Sequence, residues 1–159
     1  MKITKLLLTI GLIANGYSME CDSISNQIYS IETSMSSILN RMNTSRTIYN
    51  CEKDSILEHR VEVNNNIVIS LEQYNQFRNI SESYVDGLNK YLDEINKNKE
   101  SLKKLEESIK EEDLKRIWKE DMDNINLTIC EVKQAIDKVN GRVNKYKVIY
   151  SSFNEEKLY

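Results

Sequence analysis

Proline is absent from this chain, and glycine occurs only 4 times in 159 residues. Both residues interrupt helices, so their scarcity permits very long ones. Two-residue hairpin turns favour Asn-Gly or Asp-Gly. Asp86-Gly87 is such a pair, but it sits inside a helical pattern. The one histidine, His59, stands alone, with no Gly-rich phosphate loop and no nucleophile elbow elsewhere. It reads as a solvated or hydrogen-bonded helical residue, and no catalytic residue is assigned. Three cysteines form neither a Cys-x-x-Cys redox pair nor a four-ligand zinc pattern. The acid clusters "EED" (111–113) and "EDMD" (120–123) lack the central glycine and alternating oxygens of a calcium loop. They read as a charged turn and a solvated helix face. The sequence therefore points to a non-enzymatic protein without metal or cofactor. A basic excess is missing too. The formal net charge of −3 argues against a nucleic-acid binder, which needs a basic face to neutralise phosphates.

The N-terminus, "MKITKLLLTIGLIANGYSMEC", has Lys2 and Lys5, a short apolar run from Leu6 to Ala14, and small residues at Gly16 and Ser18. This is the pattern of a secretory signal peptide over residues 1–18. The run falls well short of the ~20 apolar residues that a membrane span needs. An uncleaved core helix is the alternative. Cleavage after Ser18 removes Lys2 and Lys5 and no acid, leaving 20 basic against 25 acidic residues, a net −5. The expected product is secreted, without a membrane span, and forms one helical domain over residues 19–159.

Apolar residues that alternate steps of three and four write a coiled-coil helix. Cys21, Ile24, Ile28, Ile31, Met35, Ile38 and Met42 do so without a missed step. The seam then weakens at Ser45, Tyr49, Glu52, Ile56 and His59. The run "NTSRT" (43–47) is rich in residues that favour caps and turns. Helix 1 either continues there with a poor seam or breaks and restarts near Ile48. "NNN" at 64–66 is the best turn signal that follows.

Helix 2 carries Ile67, Leu71, Tyr74, Val85, Leu88, Leu92, Ile95, Leu102 and Ile109, with Phe77, Tyr84 and Tyr91 beside that seam. Such a wide face suits a helix with two neighbours. A phase slip across "KEED" (110–113) marks the second turn, where Asp113 is a candidate cap. Helix 3 runs from Trp118 through Met122, Ile125, Ile129, Val132, Ile136, Val139, Val143, Tyr146 and Tyr150 to Phe153. Short turns between neighbours make an antiparallel arrangement. The fold expected is all-α, an elongated antiparallel three-helix coiled-coil bundle.

Folded on paper as a straight rod, Cys51 lies about 20 Å along the axis from the level of Cys130 at helical rise. A disulfide needs Cα atoms within about 7 Å. Cys21 is no better placed for either. A break in helix 1 would turn Cys51 inward and permit a Cys51–Cys130 bridge, which is the favoured pairing. Cys21 then stays free or links two chains, so a homodimer is a candidate assembly. An odd number of thiols in an oxidising compartment is what raises the question.

Asn43-Thr44-Ser45, Asn79-Ile80-Ser81 and Asn126-Leu127-Thr128 match the N-glycosylation pattern. With 18 Asn and 22 Ser plus Thr in the chain, chance alone gives roughly 2.5 such triplets for a pattern this short. They carry little weight. The leading expectation is a secreted helical protein that acts by binding a protein partner or by self-assembly, as an effector or a surface or wall component. The alternative is an amphipathic-helix carrier of lipid or another small hydrophobic ligand.

Overall fold

A computed structural model describes the backbone of residues 19–58, 60–63 and 66–156, and the side chains of residues 23–58, 60, 61 and 68–146. The signal-peptide reading of residues 1–18 lies outside these, as do His59 and the side chains of Cys21, Ile67, Tyr150 and Phe153. The elements run α1 (Met19–Leu57), β1 (Val61–Val63), β2 (Asn66–Val68), α2 (Leu71–Lys104), a single 3-10 turn (Glu106–Ser108) and α3 (Glu112–Glu156). The chain is an all-α three-helix bundle, as the heptads require.

Helix α1 does not break at residues 43–47. The Thr47 hydroxyl donates to the Asn43 carbonyl at 3.0 Å, so a residue that favours caps is satisfied inside the helix instead. Tyr49, buried two residues later, resumes the seam.

The "NNN" turn is there, but the helices do not simply abut across it. Val61↔Val68, Glu62↔Ile67 and Val63↔Asn66 pair as a short antiparallel hairpin. β-Branched residues crowd both sides of the asparagines, and such residues fit a pleated ribbon better than a helix end. A capping box then starts α2. The Ser70 N–H donates to Gln73 Oε1 at 2.8 Å, and the Gln73 N–H donates to Ser70 Oγ at 3.1 Å. Gln73 Nε2 also donates to the Ile56 carbonyl at 3.2 Å, filling an acceptor left open by the end of α1. Ile69, before the cap, and Tyr74, after it, bury together with Leu57 as a hydrophobic staple. Leu71, expected on the seam, is 51% exposed, because the cap sets the helix phase and the buried row begins at Tyr74.

At the second turn α2 ends with Lys103 and Lys104, cations that complement the helix dipole. The Leu102 carbonyl accepts from the Leu105 N–H at 3.1 Å and from the Trp118 indole N–H at 2.7 Å. Asp113 is not the cap of α3. It lies in the first turn, facing Arg116 at 3.9 Å, and the Glu111 carbonyl accepts the first helical bond from the Lys115 N–H.

The chain divides into two compact units. The first joins the chain through Met42 to Lys90–Val132. Its core holds Ile28, Met35, Ile38, Ile95, Leu102, Ile125 and Val132, all nearly water-free. On its surface Arg41 grips Glu94 with both terminal guanidinium nitrogens, at 2.6 and 3.3 Å, and lies over the Tyr91 ring. That contact holds the Glu94 carboxyl below its ordinary range, chiefly through the hydrogen bond from Arg41.

The second unit joins Asn43–Asn89 to the chain from Lys133 onward. Phe77 is its most enclosed side chain and meets Tyr146 edge-on at 5.1 Å. Tyr49 stacks on Tyr84 at 4.5 Å, and its hydroxyl pairs with the buried Ser81 hydroxyl at 2.9 Å. Tyr49→Phe leaves Ser81 without that partner. The expected cost is about 1–3 kcal/mol, read from the urea midpoint. An unchanged midpoint would mean that the hydroxyl pair contributes nothing.

Candidate functional site

Two features stand apart from ordinary helix packing, one in each unit. In the second unit α1 and α2 leave an open groove of about 410 Å³ between them. Ser45, Ile48 and Glu52 line it from α1, and Ile80, Ser83 and Gly87 from α2. On each helix these are steps of three and four, so each presents one continuous face to the groove. A neighbouring hollow of about 580 Å³ shares Glu52, Asn79 and Ile80 and runs on to Cys51, Ser55 and Ile56. Ile48 is 54% exposed, although its neighbours offer it an apolar wall. A Cβ on Gly87 would meet nothing within 4 Å. A mid-helix glycine costs about 1 kcal/mol against alanine, and here no internal packing explains it. It leaves the α2 side of the groove open to close approach by another backbone.

The second feature is a pair of carboxyls in the first unit. Glu32 on α1 is 1% exposed and Asp121 on α3 is 3% exposed. No N–H or O–H donor of the described residues reaches any of their four oxygens. The carboxyls face each other closely enough that each acts on the ionisation of the other. Two ionised carboxylates are acceptors only, so that contact becomes a bond only when one of them carries a proton. Burial, then the contact with Glu32, pushes Asp121 up to about 9. Burial raises Glu32 as well, against a lowering from the bond that Asp121 gives it. The two titrate as a pair that keeps one proton through neutral pH.

Asp121 corrects the reading of "EDMD" as a solvated face. Glu120 and Asp123 point away from the core, but Asp121 points inward. Glu32 falls one position past the seam residue Ile31, as Ser25 and Leu39 do past Ile24 and Ile38; all three are buried. Asp121 precedes Met122 as Thr128 precedes Ile129, and both polar residues are buried. These flanking columns close when each helix has two neighbours. The width of the face is legible for α2 because its flanks are aromatic. On α1 and α3 polar flank residues disguise it.

The Cys51–Cys130 bridge is not made: both thiols are exposed and they are not bonded to each other. The inward turn of Cys51 depends on a break in helix 1, and α1 is continuous there. Among the glycosylation candidates, Asn79 and Asn126 are exposed, while Asn43 is half-buried with its Oδ1 enclosed. The hydroxyl members of the exposed two triplets are structural. Ser81 bonds to Tyr49, and Thr128 donates to the Asn124 carbonyl at 2.8 Å.

The chain matches no protein-family model, no curated protein and no solved structure. Among the described residues no helix is long and apolar enough to cross a membrane.

Proposed function

We propose that this is a secreted, non-enzymatic helical protein that works by binding another protein, and that the groove between α1 and α2 is where it binds. The observation that carries this reading is the groove itself: two helical faces with an exposed isoleucine, Ile48, on one and an open glycine, Gly87, on the other. A third helix laid along them would present apolar side chains at matching steps to Ile48 and Ile80, in the helix-in-groove mode of recognition. Small side chains at Ser45 and Ser83 allow its backbone to come near.

Selection of displayed amphipathic-helical peptides on the immobilised protein tests this. Binders should lose at least tenfold in affinity on Ile48→Glu, a loss of about 1.4 kcal/mol or more. The helical circular dichroism should not change, because Ile48 lies at the surface. Binders indifferent to the substitution would place recognition elsewhere. Co-flotation with liposomes that Ile48→Glu abolishes would favour the lipid-carrier alternative.

A further inference from the structure

The groove does not involve the Glu32–Asp121 pair, and the pair asks for its own explanation. Two acids are enclosed between α1 and α3, and no cation among the described residues is set against them. Two donors of that unit are committed elsewhere: the Trp118 indole N–H to the Leu102 carbonyl, and the Thr128 hydroxyl to the Asn124 carbonyl. Among the described residues, the charged groups that act on the pair are acids, Glu120 adding to the effect of Glu32 on Asp121. From α2 the unit receives Ile95 and Leu102, both fully buried. The half-buried Lys99 of that stretch bonds to neither acid. No third His, Cys, Asp or Glu joins them among the described residues, so the donor set for a metal ion stops at two carboxyls.

We propose that Glu32 and Asp121 form a proton-held latch, in which one proton shared between the buried carboxyls fastens α1 to α3 and its loss loosens that unit. The step is a simple ionisation. The proton bridging the two groups leaves to solvent, and two carboxylates then face each other in a site of low dielectric, where repulsion is strongest. The sign follows from where each state holds the proton. In the unfolded chain both acids ionise near about 4, whereas the folded pair keeps its proton far above that. The stability that the pair contributes is therefore fully present below about pH 4 and is lost progressively as pH rises towards the ionisation of the folded pair, about 9 for Asp121. The device favours an acidic setting.

Two measurements on the full chain decide the matter. The first follows the side-chain carboxyl carbons by NMR across pH 3–10. One of them should titrate above pH 7; if all titrate below pH 5.5, the latch does not exist. The second compares thermal midpoints at pH 5 and pH 9 in wild type and Asp121→Asn. The wild-type midpoint should fall by roughly 5 °C more than that of the variant. Coincident pH profiles would overturn the proposal. So would a midpoint at pH 9 that calcium chloride raises in wild type and not in Asp121→Asn, because the pair would then hold a cation rather than a proton. Should Asp121→Asn fail to fold, the carboxyl titration of the wild type decides alone.

Discussion

Phe77→Ala is expected to lower stability by about 3–5 kcal/mol, the largest loss of any single substitution in the second unit. The ring is fully enclosed and makes an edge-on contact with Tyr146 from α3. Truncation removes both the transfer energy of the ring and the packing of the atoms around it. Small domains have roughly 5–15 kcal/mol in total, so a change of this size takes the chain a long way towards unfolding. Urea titration followed by helical circular dichroism reads it directly. Phe77→Leu, which keeps most of the apolar volume, should lose much less. A loss below about 1 kcal/mol for alanine would mean that neighbouring side chains collapse into the space, and that Phe77 does not organise this core.

Replacing both members of the acidic pair by apolar residues, Glu32→Met with Asp121→Leu, should have the opposite sign. The expected result at pH 8 is a gain of about 1–4 kcal/mol, by analogy with the exchange of other buried ionic groups for hydrocarbon. The wild-type site holds two groups that water would solvate better, and four oxygens that find no donor from the described residues. Apolar side chains remove that desolvation cost and join a unit whose core already holds Leu102 and Ile95. The gain should shrink on going to pH 4, because the acids of the unfolded chain then begin to hold protons as well and folding no longer has to take one up. Chemical denaturation at the two pH values separates the contributions. A double variant less stable than wild type at pH 8 would show that shape, not charge, dominates the site.

The helices and the places where they turn are legible in the sequence because heptad spacing is a direct image of burial. The slip before α3 falls where the spacing fails; the end of α1 is marked by the asparagines instead, and the start of α2 is hidden because Ile67, read as a seam residue, lies in β2. The capping box has a sequence signal as well, since Ser70 and Gln73 stand three apart before an apolar run; Leu71 masks it by resembling a seam residue. The hairpin is harder. Three-residue strands carry almost no periodicity, and only the β-branched residues around the asparagines announce them. Glu32 and Asp121 are not legible at all. A lone acid beside a seam reads the same whether a second neighbour covers it or water does, and only the packed structure distinguishes the two. The groove has the same character. Ile48 and Gly87 are distant in sequence, and their common wall exists only once α1 and α2 are aligned.

The corner where α1 gives way to α2 has a consequence for the order in which this chain can assemble. Its bonds close short loops: Ser70 to Gln73 spans 3 residues, and Gln73 to Ile56 spans 17. The bonds of Arg41 with Glu94 and of Ser34 with Asn98 span 53 and 64. Closure entropy rises with the logarithm of loop length, so the bonds of the corner form at the smallest loss of chain freedom. The hairpin, the capping box and the staple of Ile69, Tyr74 and Leu57 all lie within that short stretch. They are the contacts that this chain can close with the least loss of freedom.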